Sequence, residues 1–341
     1  MITNNIFFSI IIPAFNMEKY IRRTITSVLD QKFKDFEIII VNDGSVDKTS
    51  TIIDKYAKYD KRITILTHLK NESQHIARLD GVAAANGKYV VFLDGDDYFN
   101  ENALGTLYDI IEKNPGYDFY EFGYIKQPSG ETVFPSFLEN DRFFIYFKEN
   151  HPHTMWNKVY CIQLLKKAFS MMERVYLNLS EDLYESIVIA YYAKKVFIIK
   201  EIITNYLIGV GISTAYKNYD KTIEFLNSFR IANNLIENFL KRLNLDINLD
   251  NLNYRFMKYA IGAYFITQID KNDMRNLYLK LPDYFENKII IEYLFFKEDV
   301  YKNFELKYSK EYRLGQMILQ PFRKIKRLLV KAGNYKHWLS Y

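Results

Sequence analysis

The chain has a single cysteine, no long apolar run and no basic surplus outside its last residues, and each shortage excludes a class of protein. Cys161 is alone among 341 residues, so no disulfide can form within the chain and nothing requires an oxidising compartment. No run of about 18 apolar residues occurs, so we expect no membrane-spanning helix. The first residues carry no basic segment and the apolar residues 6–12 end at Pro13, so we expect no secretory signal and a cytoplasmic location.

The composition is that of a globular protein whose charge is unevenly spread. Hydrophobic residues make up 49% and charged residues 26%, which argues against a disordered or collagen-like chain. The net charge is +5, yet residues 315–341 hold six Lys or Arg and no Asp or Glu, which leaves 40 basic and 41 acidic residues elsewhere. Since the body has no basic excess from which to build a groove, we expect no nucleic-acid partner.

The first hundred residues alternate between strand-like and helix-like patterns. Continuous β-branched and aromatic runs predict buried strands at residues 6–12, 36–41, 62–67 and 88–93. Apolar residues at helical spacing predict helices at residues 18–29, 46–59 and 73–86, with Ser73 as a cap and Gly87 as a stop. This alternation predicts an α/β fold with a mostly parallel sheet.

The pattern becomes less regular after residue 114 and mainly helical after residue 217. We predict strands at residues 117–124 and 132–137 and helices at residues 158–169, 183–193, 222–243 and 254–269. Cys161 would then be a small buried side chain in an apolar helix. The predicted domains are residues 1–215, divided into halves 1–114 and 115–215, and a helical C-terminal region, residues 216–341.

Acidic and turn-forming residues follow three of the predicted strands. Asp94, Asp96 and Asp97 come directly after the fourth strand and could converge on a divalent cation, or one of the last two could cap the next helix. Asp43, after the second strand, could bind a nucleobase edge or belong to an ordinary turn. Phe15, which follows Pro13 after the first strand, could stack on a base or pack in the core. All three segments are predicted at one sheet edge, where ligands of parallel sheets bind.

In order and spacing, these segments resemble the family 2 glycosyltransferases of the GT-A fold. The resemblance over residues 6–100 rests on the segments 10–16 (IIIPAFN), 41–45 (VNDGS), 77–81 (ARLDG) and 92–97 (FLDGDD). A weaker similarity continues through residues 154–158 and 180–182 to about residue 215. The resemblance implies inverting transfer of a sugar from a nucleoside diphosphate, usually UDP, with Mn²⁺ or Mg²⁺ as cofactor.

The resemblance also implies roles for individual residues. By position, Asp43 would hold the uracil, Arg78 would support the nucleotide, Asp94 would lie near the ribose and Asp96 would bind the metal and the diphosphate. The complete predicted nucleotide-sugar-binding set is Pro13, Phe15, Glu18, Asp43, Arg78 and Asp94. Contacts with the acceptor or donor sugar are predicted for Asp97, Trp156, Lys158 and Glu181, although Trp156 could equally be a core residue.

Inversion needs one base to take the proton of the acceptor hydroxyl, and the family supplies it from a Glu-Asp pair. Here the pair is Glu181-Asp182, and we assign Asp182 as the base. The alternative is that the pair only begins a helix, because Ser-Glu-Asp is also a normal helix start.

The sequence departs from the family's usual pattern at three places. Leu79 stands where an asparagine usually follows the arginine, Ser180 replaces a glycine, and residues 71–73 lack the usual glycine. These departures affect contacts with the donor more than the reaction class. The Gln-x-x-Arg-Trp signature of processive synthases is absent, which favours single-sugar addition. The segments 154–158 and 180–182 most resemble bacterial enzymes that extend lipooligosaccharide or capsule chains.

The basic C-terminal tail, residues 315–341, has the pattern of an amphipathic helix. Pro321 suits a first helical position, and apolar residues recur on one face with basic residues on its flanks. We expect this tail to bind an anionic membrane surface and make the protein peripheral on the inner face of the cell membrane, where a glycan or glycolipid acceptor would lie. The alternative is a terminal helix docked on its own domain.

Two other functions compete with the transferase at this stage. The first is a non-catalytic sugar-nucleotide-binding scaffold at the membrane, and the second is a nucleotidyltransferase, which would also carry paired acids on a parallel sheet. No glycine-rich phosphate loop with a basic residue follows the first strand, which argues against the second. We do not predict a metal site at His151 and His153, because no third ligand is suitably spaced.

Overall fold

The structure, a computed structural model, describes residues 6–135, 153–210, 219–247 and 249, all within the compact unit Met1–Ile269. The first elements in chain order are β1 (Phe8–Ala14), α1 (Ile21–Leu29), β2 (Phe36–Asn42), α2 (Thr49–Tyr59), β3 (Ile63–Thr67), α3 (Gln74–Ala84), β4 (Tyr89–Phe92) and β5 (Tyr98–Phe99). These are followed by α4 (Ala103–Lys113), β6 (Phe119–Gln127), β7 (Glu131–Val133), β8 (Lys158–Cys161), α5 (Ile162–Phe169), α6 (Glu181–Tyr192), β9 (Val196–Leu207) and α7 (Tyr219–Arg242).

The described strands form one mixed sheet in the order β3-β2-β1-β4-β8-β6-β9-β5, with β7 paired to β6. The first four strands of this order are parallel, which confirms the predicted α/β arrangement. Strand β8 runs antiparallel between β4 and β6, and β9 is parallel to β6. The sheet therefore joins a parallel half to a mixed half across β8.

Helices cover both faces of the parallel half, which is why every residue of β1 and β2 is buried. On one face, Ile10 belongs to a buried cluster with Ile25 of α1, Ile53 of α2 and Leu107 of α4. On the other face α3 lies so close to β1 that a Cβ added to Gly81 would sit 2.5 Å from Cγ2 of Ile11. The glycine thus permits the close packing of this helix on the sheet.

Four local predictions were wrong. Residues 158–161 form strand β8 rather than a helix, because their backbone pairs with both β4 and β6. Cys161 consequently lies half-buried at a strand end. Ser73 occupies the predicted N-cap position of α3, but its side chain does not cap the helix: its φ is 97° and its hydroxyl accepts a hydrogen bond from the Leu177 N–H at 3.1 Å. Gly87 lies beyond the helix, against Ser9, where a Cβ would be 2.6 Å from the Ser9 nitrogen.

Helix α7 packs on α6, with the rings of Phe239 and Tyr191 5.5 Å apart. In the described part of the chain, no helix combines the length and apolarity needed to cross a membrane. The helix predicted at residues 254–269, the tail at 315–341 and the end of the strand predicted at 132–137 lie outside the described residues. The domain boundary near residue 215 stays a prediction.

Candidate functional site

The carboxyl ends of β1, β2 and β4 meet at one edge of the sheet and form one wall of a cavity of about 230 Å³. The register places Ala14 beside Asn42, so the segments that follow β1 and β2 emerge together. The other wall comes from residues before β8, from the start of α6 and from the end of β9. Eight predicted site residues line this cavity: Pro13, Phe15, Asp43, Asp94, Asp96, Trp156, Glu181 and Asp182.

Asp43 is buried and its carboxylate accepts four hydrogen bonds from the segment that follows β3. Oδ1 accepts from the Glu72 N–H at 2.7 Å and contacts Nδ1 of His68 at 2.6 Å. Oδ2 accepts from the Ser73 N–H at 3.0 Å and from the Asn71 side-chain amide at 2.9 Å. Asp43 therefore fixes the cavity wall around Asn71, which also lines the cavity.

The three carboxylates after β4 differ in position. Asp94 accepts a hydrogen bond from Nε2 of Gln74 at 3.1 Å, and burial raises its pKa to about 7 against the opposing charge of Arg78. Burial also raises the pKa of Asp96. Asp97 is fully buried outside the cavity lining, where its Oδ1 accepts from the Leu207 N–H at 2.8 Å. None of the three caps α4, for which Asn102 holds the cap position.

The carboxylates of Asp94 and Asp96 at this edge are suitable ligands for a divalent cation that also binds a phosphate. Asp94 and Asp96 supply the hard oxygen ligands that Mg²⁺ and Mn²⁺ prefer. Among the described residues, no group of three acidic, histidine or cysteine side chains is arranged to hold a metal ion alone. A cation here would therefore need oxygens from its substrate or from water to complete its coordination.

The acid pair Glu181-Asp182 lies in the first turn of α6, where acidic residues favour the start of a helix. Both side chains also line the cavity. The side chain of Asp182 is 31% exposed and accepts a hydrogen bond from Nη1 of Arg78. Burial raises the pKa of Asp182, and the charge of Arg78 opposes this. Burial and the neighbouring Asp182 raise the pKa of Glu181 to about 8, which favours its protonated form.

Arg78 connects the two walls of the cavity from behind. Its guanidinium is buried, with Nη1 bonded to Asp182 and Nη2 3.7 Å from Oδ1 of Asp94. The surrounding carboxylates, Asp182 first, outweigh burial and raise the pKa of Arg78 further above its ordinary value. Arg78 does not line the cavity, so any support it gives to a nucleotide passes through the carboxylates that it contacts, Asp94 and Asp182.

Two further predicted site residues lie outside the cavity lining. Glu18 accepts a hydrogen bond from the Lys48 N–H at 3.1 Å and so holds the start of α2. Lys158 is buried and donates to the Thr154 carbonyl at 2.6 Å and to Oδ1 of Asn157 at 2.8 Å. Both side chains are therefore held by the protein itself, as Asp97 is.

Trp156 stacks on Tyr206, with centroids 4.7 Å apart and planes 4° apart, and Tyr124 meets its edge at 4.6 Å. Both members of the stack line the cavity near the acid pair, although Trp156 is only 5% exposed. Sequence reasoning missed Tyr206 because no motif marks the end of β9. It also missed the lining residues Asn71, Gln74 and Asn178.

The site has the form of an α/β nucleotide-sugar transferase, with carboxylates at the strand ends on one wall and an acid pair on the other. Residues 9–170 match the model of the family described as glycosyl transferase family 2. These residues belong to that family, and the fold is of the GT-A type.

Individual proteins agree with this assignment. The chain is 41% identical to the uncharacterized glycosyltransferase EpsJ of Bacillus subtilis over 135 residues, which cover 39% of this chain and 39% of EpsJ. It is 26% identical to the putative glycosyltransferase EpsH of the same organism over 257 residues, covering 71% of this chain and 74% of EpsH. The crystal structure of S. aureus TarS in complex with UDP-GlcNAc is similar in fold, with a TM-score of 0.57 and 21% identity over 82% of this chain and 80% of that one.

Proposed function

We propose that the protein is an inverting glycosyltransferase that moves one sugar from a UDP-linked donor to a hydroxyl of a bacterial surface glycan or lipid-linked acceptor. The donor sugar would be of the Gal, GalNAc, Glc or GlcNAc type. One observation carries the proposal: Arg78 bridges Asp94, which follows β4, and Asp182, which begins α6, and both carboxylates line one cavity. The similarity in fold to a TarS structure that contains UDP-GlcNAc supports the choice of donor.

In the proposed reaction, Asp182 accepts the proton of the acceptor hydroxyl. The acceptor oxygen forms a bond to the anomeric carbon while the bond from that carbon to the diphosphate breaks on the opposite face, and UDP leaves with the electron pair. A base works best when its pKa approaches the working pH, and burial moves the pKa of Asp182 in that direction. Protonated Glu181 could donate a hydrogen bond to a sugar hydroxyl in the same cavity.

The donor-side carboxylates would hold the diphosphate through a cation. We propose Asp96, with Asp94 beside it, as the protein ligands of Mn²⁺ or Mg²⁺. When bound, the cation would neutralise the charge that develops on the leaving diphosphate. The stacked Trp156 and Tyr206 would offer an aromatic edge to a sugar near Asp182. The basic tail would keep the enzyme at the inner face of the membrane.

A screen of UDP-sugars with Mn²⁺, read out as UDP release, tests the proposal. We expect release from one donor with an added acceptor, its loss on chelation or in Asp96→Ala, and a fall of about 10²-fold or more in Asp182→Asn. Asp109→Asn, the same change at an exposed position on α4, is the matched control and should keep full activity.

The outcomes separate the competing functions. Tight UDP binding without turnover on any acceptor would favour the non-catalytic scaffold, and release of pyrophosphate would favour a nucleotidyltransferase. Full activity of Asp182→Asn would remove the base assignment, and metal-independent turnover would contradict the role of Asp96.

A further inference from the structure

A pair of buried side chains lies behind Arg78, on the side away from the cavity. His75 and Glu185 are both fully buried, and neither lines the cavity. Nδ1 of His75 lies 2.8 Å from Oε1 of Glu185, and the other carboxylate oxygen of Glu185 accepts from Nη1 of Arg78 at 2.9 Å. Since the same Nη1 bonds to Asp182, the contacts run from His75 through Glu185 and Arg78 to the proposed base.

The contacts of His75 show that one proton is shared within this pair. Nε2 of His75 lies 2.9 Å from the carbonyl oxygen of Glu173, and because a carbonyl only accepts, Nε2 must carry a hydrogen. Nδ1 faces a carboxylate, so one proton must also lie between Nδ1 and Oε1. Whether that proton belongs to His75 or to Glu185, the pair is neutral overall, and Oε2 of Glu185 is available to Arg78.

The spacing of these residues ties two helices together at the site. His75 and Arg78 are three residues apart on α3, and Asp182 and Glu185 are three apart on α6, so each couple shares one helix face. Without Glu185, Asp182 and Asp94 would be the remaining carboxylates of the described residues that hold the guanidinium, and these are the two groups that the proposed reaction uses. Glu185 is thus the one of these three carboxylates that holds Arg78 from outside the cavity.

We propose that His75 and Glu185 are positioning residues that hold Arg78 in place, and through it the carboxylate of Asp182. This inference rests on the proposed function, because it assumes that Asp182 is the base. Small displacements of a reacting group are costly in enzymes: about 1 Å can lower the rate on the order of 10²-fold. Loss of the pair should therefore act on turnover more than on donor binding.

Glu185→Gln and Glu185→Met form a matched pair of variants for the test. Both remove the carboxyl group and keep an unbranched side chain, but only glutamine can accept from Arg78 and donate to Nδ1 of a neutral His75. We expect E185Q to keep kcat within about 3-fold of wild type, and E185M to lower kcat by about 10- to 100-fold while KM for the UDP-sugar changes by less than about 3-fold. If E185M fails to fold, Glu185→Asp replaces it. Aspartate keeps a carboxyl group but withdraws it from Arg78, and we expect the same loss of kcat.

A second comparison separates positioning from general stability. In the Asp182→Asn background, where the base is absent, E185M should lower the residual rate by less than about 2-fold, because residues that act through one another are non-additive. Three outcomes would overturn this inference and leave the proposed function standing. The first is a wild-type kcat in E185M or E185D, and the second is an equal loss of kcat in E185Q and E185M. The third is a loss of rate on adding E185M that is as large in the Asp182→Asn background as in wild type. If the wild-type protein turns over no UDP-sugar, or Asp182→Asn is fully active, the proposed function fails first and the inference fails with it.

Discussion

At the scale of single residues, His68 occupies an unusual position between two carboxylates. Its Nδ1 lies 2.6 Å from Asp43 and its Nε2 lies 2.9 Å from Asp80, so both ring nitrogens face acceptors. Burial alone would lower the pKa of His68, but the hydrogen bonds to Asp43 and Asp80 outweigh it and raise the pKa above 6.5. When the ring is protonated, it donates to both carboxylates and so links the wall of the cavity at Asp43 to Asp80 on α3.

This position predicts a pH-dependent contribution to stability. A histidine whose pKa is raised on folding stabilises the fold fully below its unfolded pKa of about 6.5, and the contribution disappears as pH rises through the folded pKa. We therefore expect the difference in free energy of unfolding between wild type and His68→Gln to shrink from pH 6 to pH 9. Urea unfolding at both pH values measures it, and a difference that stays constant or grows would contradict the assignment.

Ser73 predicts a second effect at this scale, because the serine adopts backbone angles that suit glycine. Its φ is 97° and its ψ is 156°, a region that costs most side chains on the order of 1–3 kcal/mol. Ser73→Gly and Ser73→Ala both remove the hydroxyl that binds the Leu177 N–H, but only glycine removes the strain. We expect S73G to be more stable than S73A by about 1 kcal/mol or more in urea unfolding, and equal stabilities would argue against strain at this position.

Sequence reasoning located individual site residues where a short motif carries the chemistry, and failed where a contact joins distant elements. Asp43, Asp94, Asp96 and Asp182, which all line the cavity, were singled out because they lie in segments that resemble family motifs at strand ends and at a helix start. Glu185 was missed although it lies on the same helix as Asp182, because its partners His75 and Arg78 are more than 100 residues away in sequence. Only the packing of α3 against α6 brings them together.

At the scale of elements, the parallel strands and their helices were predicted because their apolar patterns are continuous. Residues 158–161 were assigned to the wrong type of element, since four residues with apolar neighbours at helical spacing look like the first turn of α5. What makes them a strand is pairing with β4 and β6, which lie far away in sequence. The sequence of so short a segment cannot show its partners.

The packing of α3 on β1 predicts opposite effects for the same substitution in two helices. Gly81→Ala would place a Cβ 2.5 Å from a branched methyl of Ile11, whereas Gly105→Ala in α4 would meet only the amide of the Asn102 side chain, which can move away. Alanine favours a helix by up to about 1 kcal/mol over glycine. We expect overpacking to outweigh this gain in G81A and lower its stability by about 1–2 kcal/mol, while G105A is neutral or more stable.

Thermal and urea unfolding of the two variants measure this difference. If G81A were as stable as G105A, α3 would be able to shift away from β1 without loss. Because α3 also carries His75 and Arg78, such a shift should be visible as a lower kcat in G81A. Unchanged stability together with unchanged kcat would show that the close approach at Gly81 is not required.

At the scale of the whole molecule, both halves of the sheet, the parallel half and the mixed half, contribute residues to the site. The parallel half brings Asp43, Asp94 and Asp96 to a common edge, as the sequence predicted. The mixed half brings Trp156, Tyr206 and the acid pair to the opposite wall. The first arrangement follows from parallel strands within the first hundred residues, whose apolar patterns are continuous. The second depends on β8 inserted between β4 and β6, for which the sequence has no local signal.

The distribution of charge leads to a prediction for the complete chain. We expect the full-length protein to bind vesicles that contain anionic lipid, and Lys324→Gln, Lys326→Gln and Arg327→Gln together to weaken this binding on the order of 100-fold, because each basic residue near such a surface contributes about 1 kcal/mol. The matched control replaces Lys55, Lys58 and Lys61, exposed residues at and beyond the end of α2, by glutamine and removes the same charge. Co-sedimentation with anionic and with neutral vesicles measures both variants, and UDP release should be unchanged in the control, whose three lysines do not line the cavity. If both variants lost the same amount of binding to anionic vesicles, net charge and not the tail would govern binding. If wild type bound neutral and anionic vesicles equally well, the attraction would not be electrostatic.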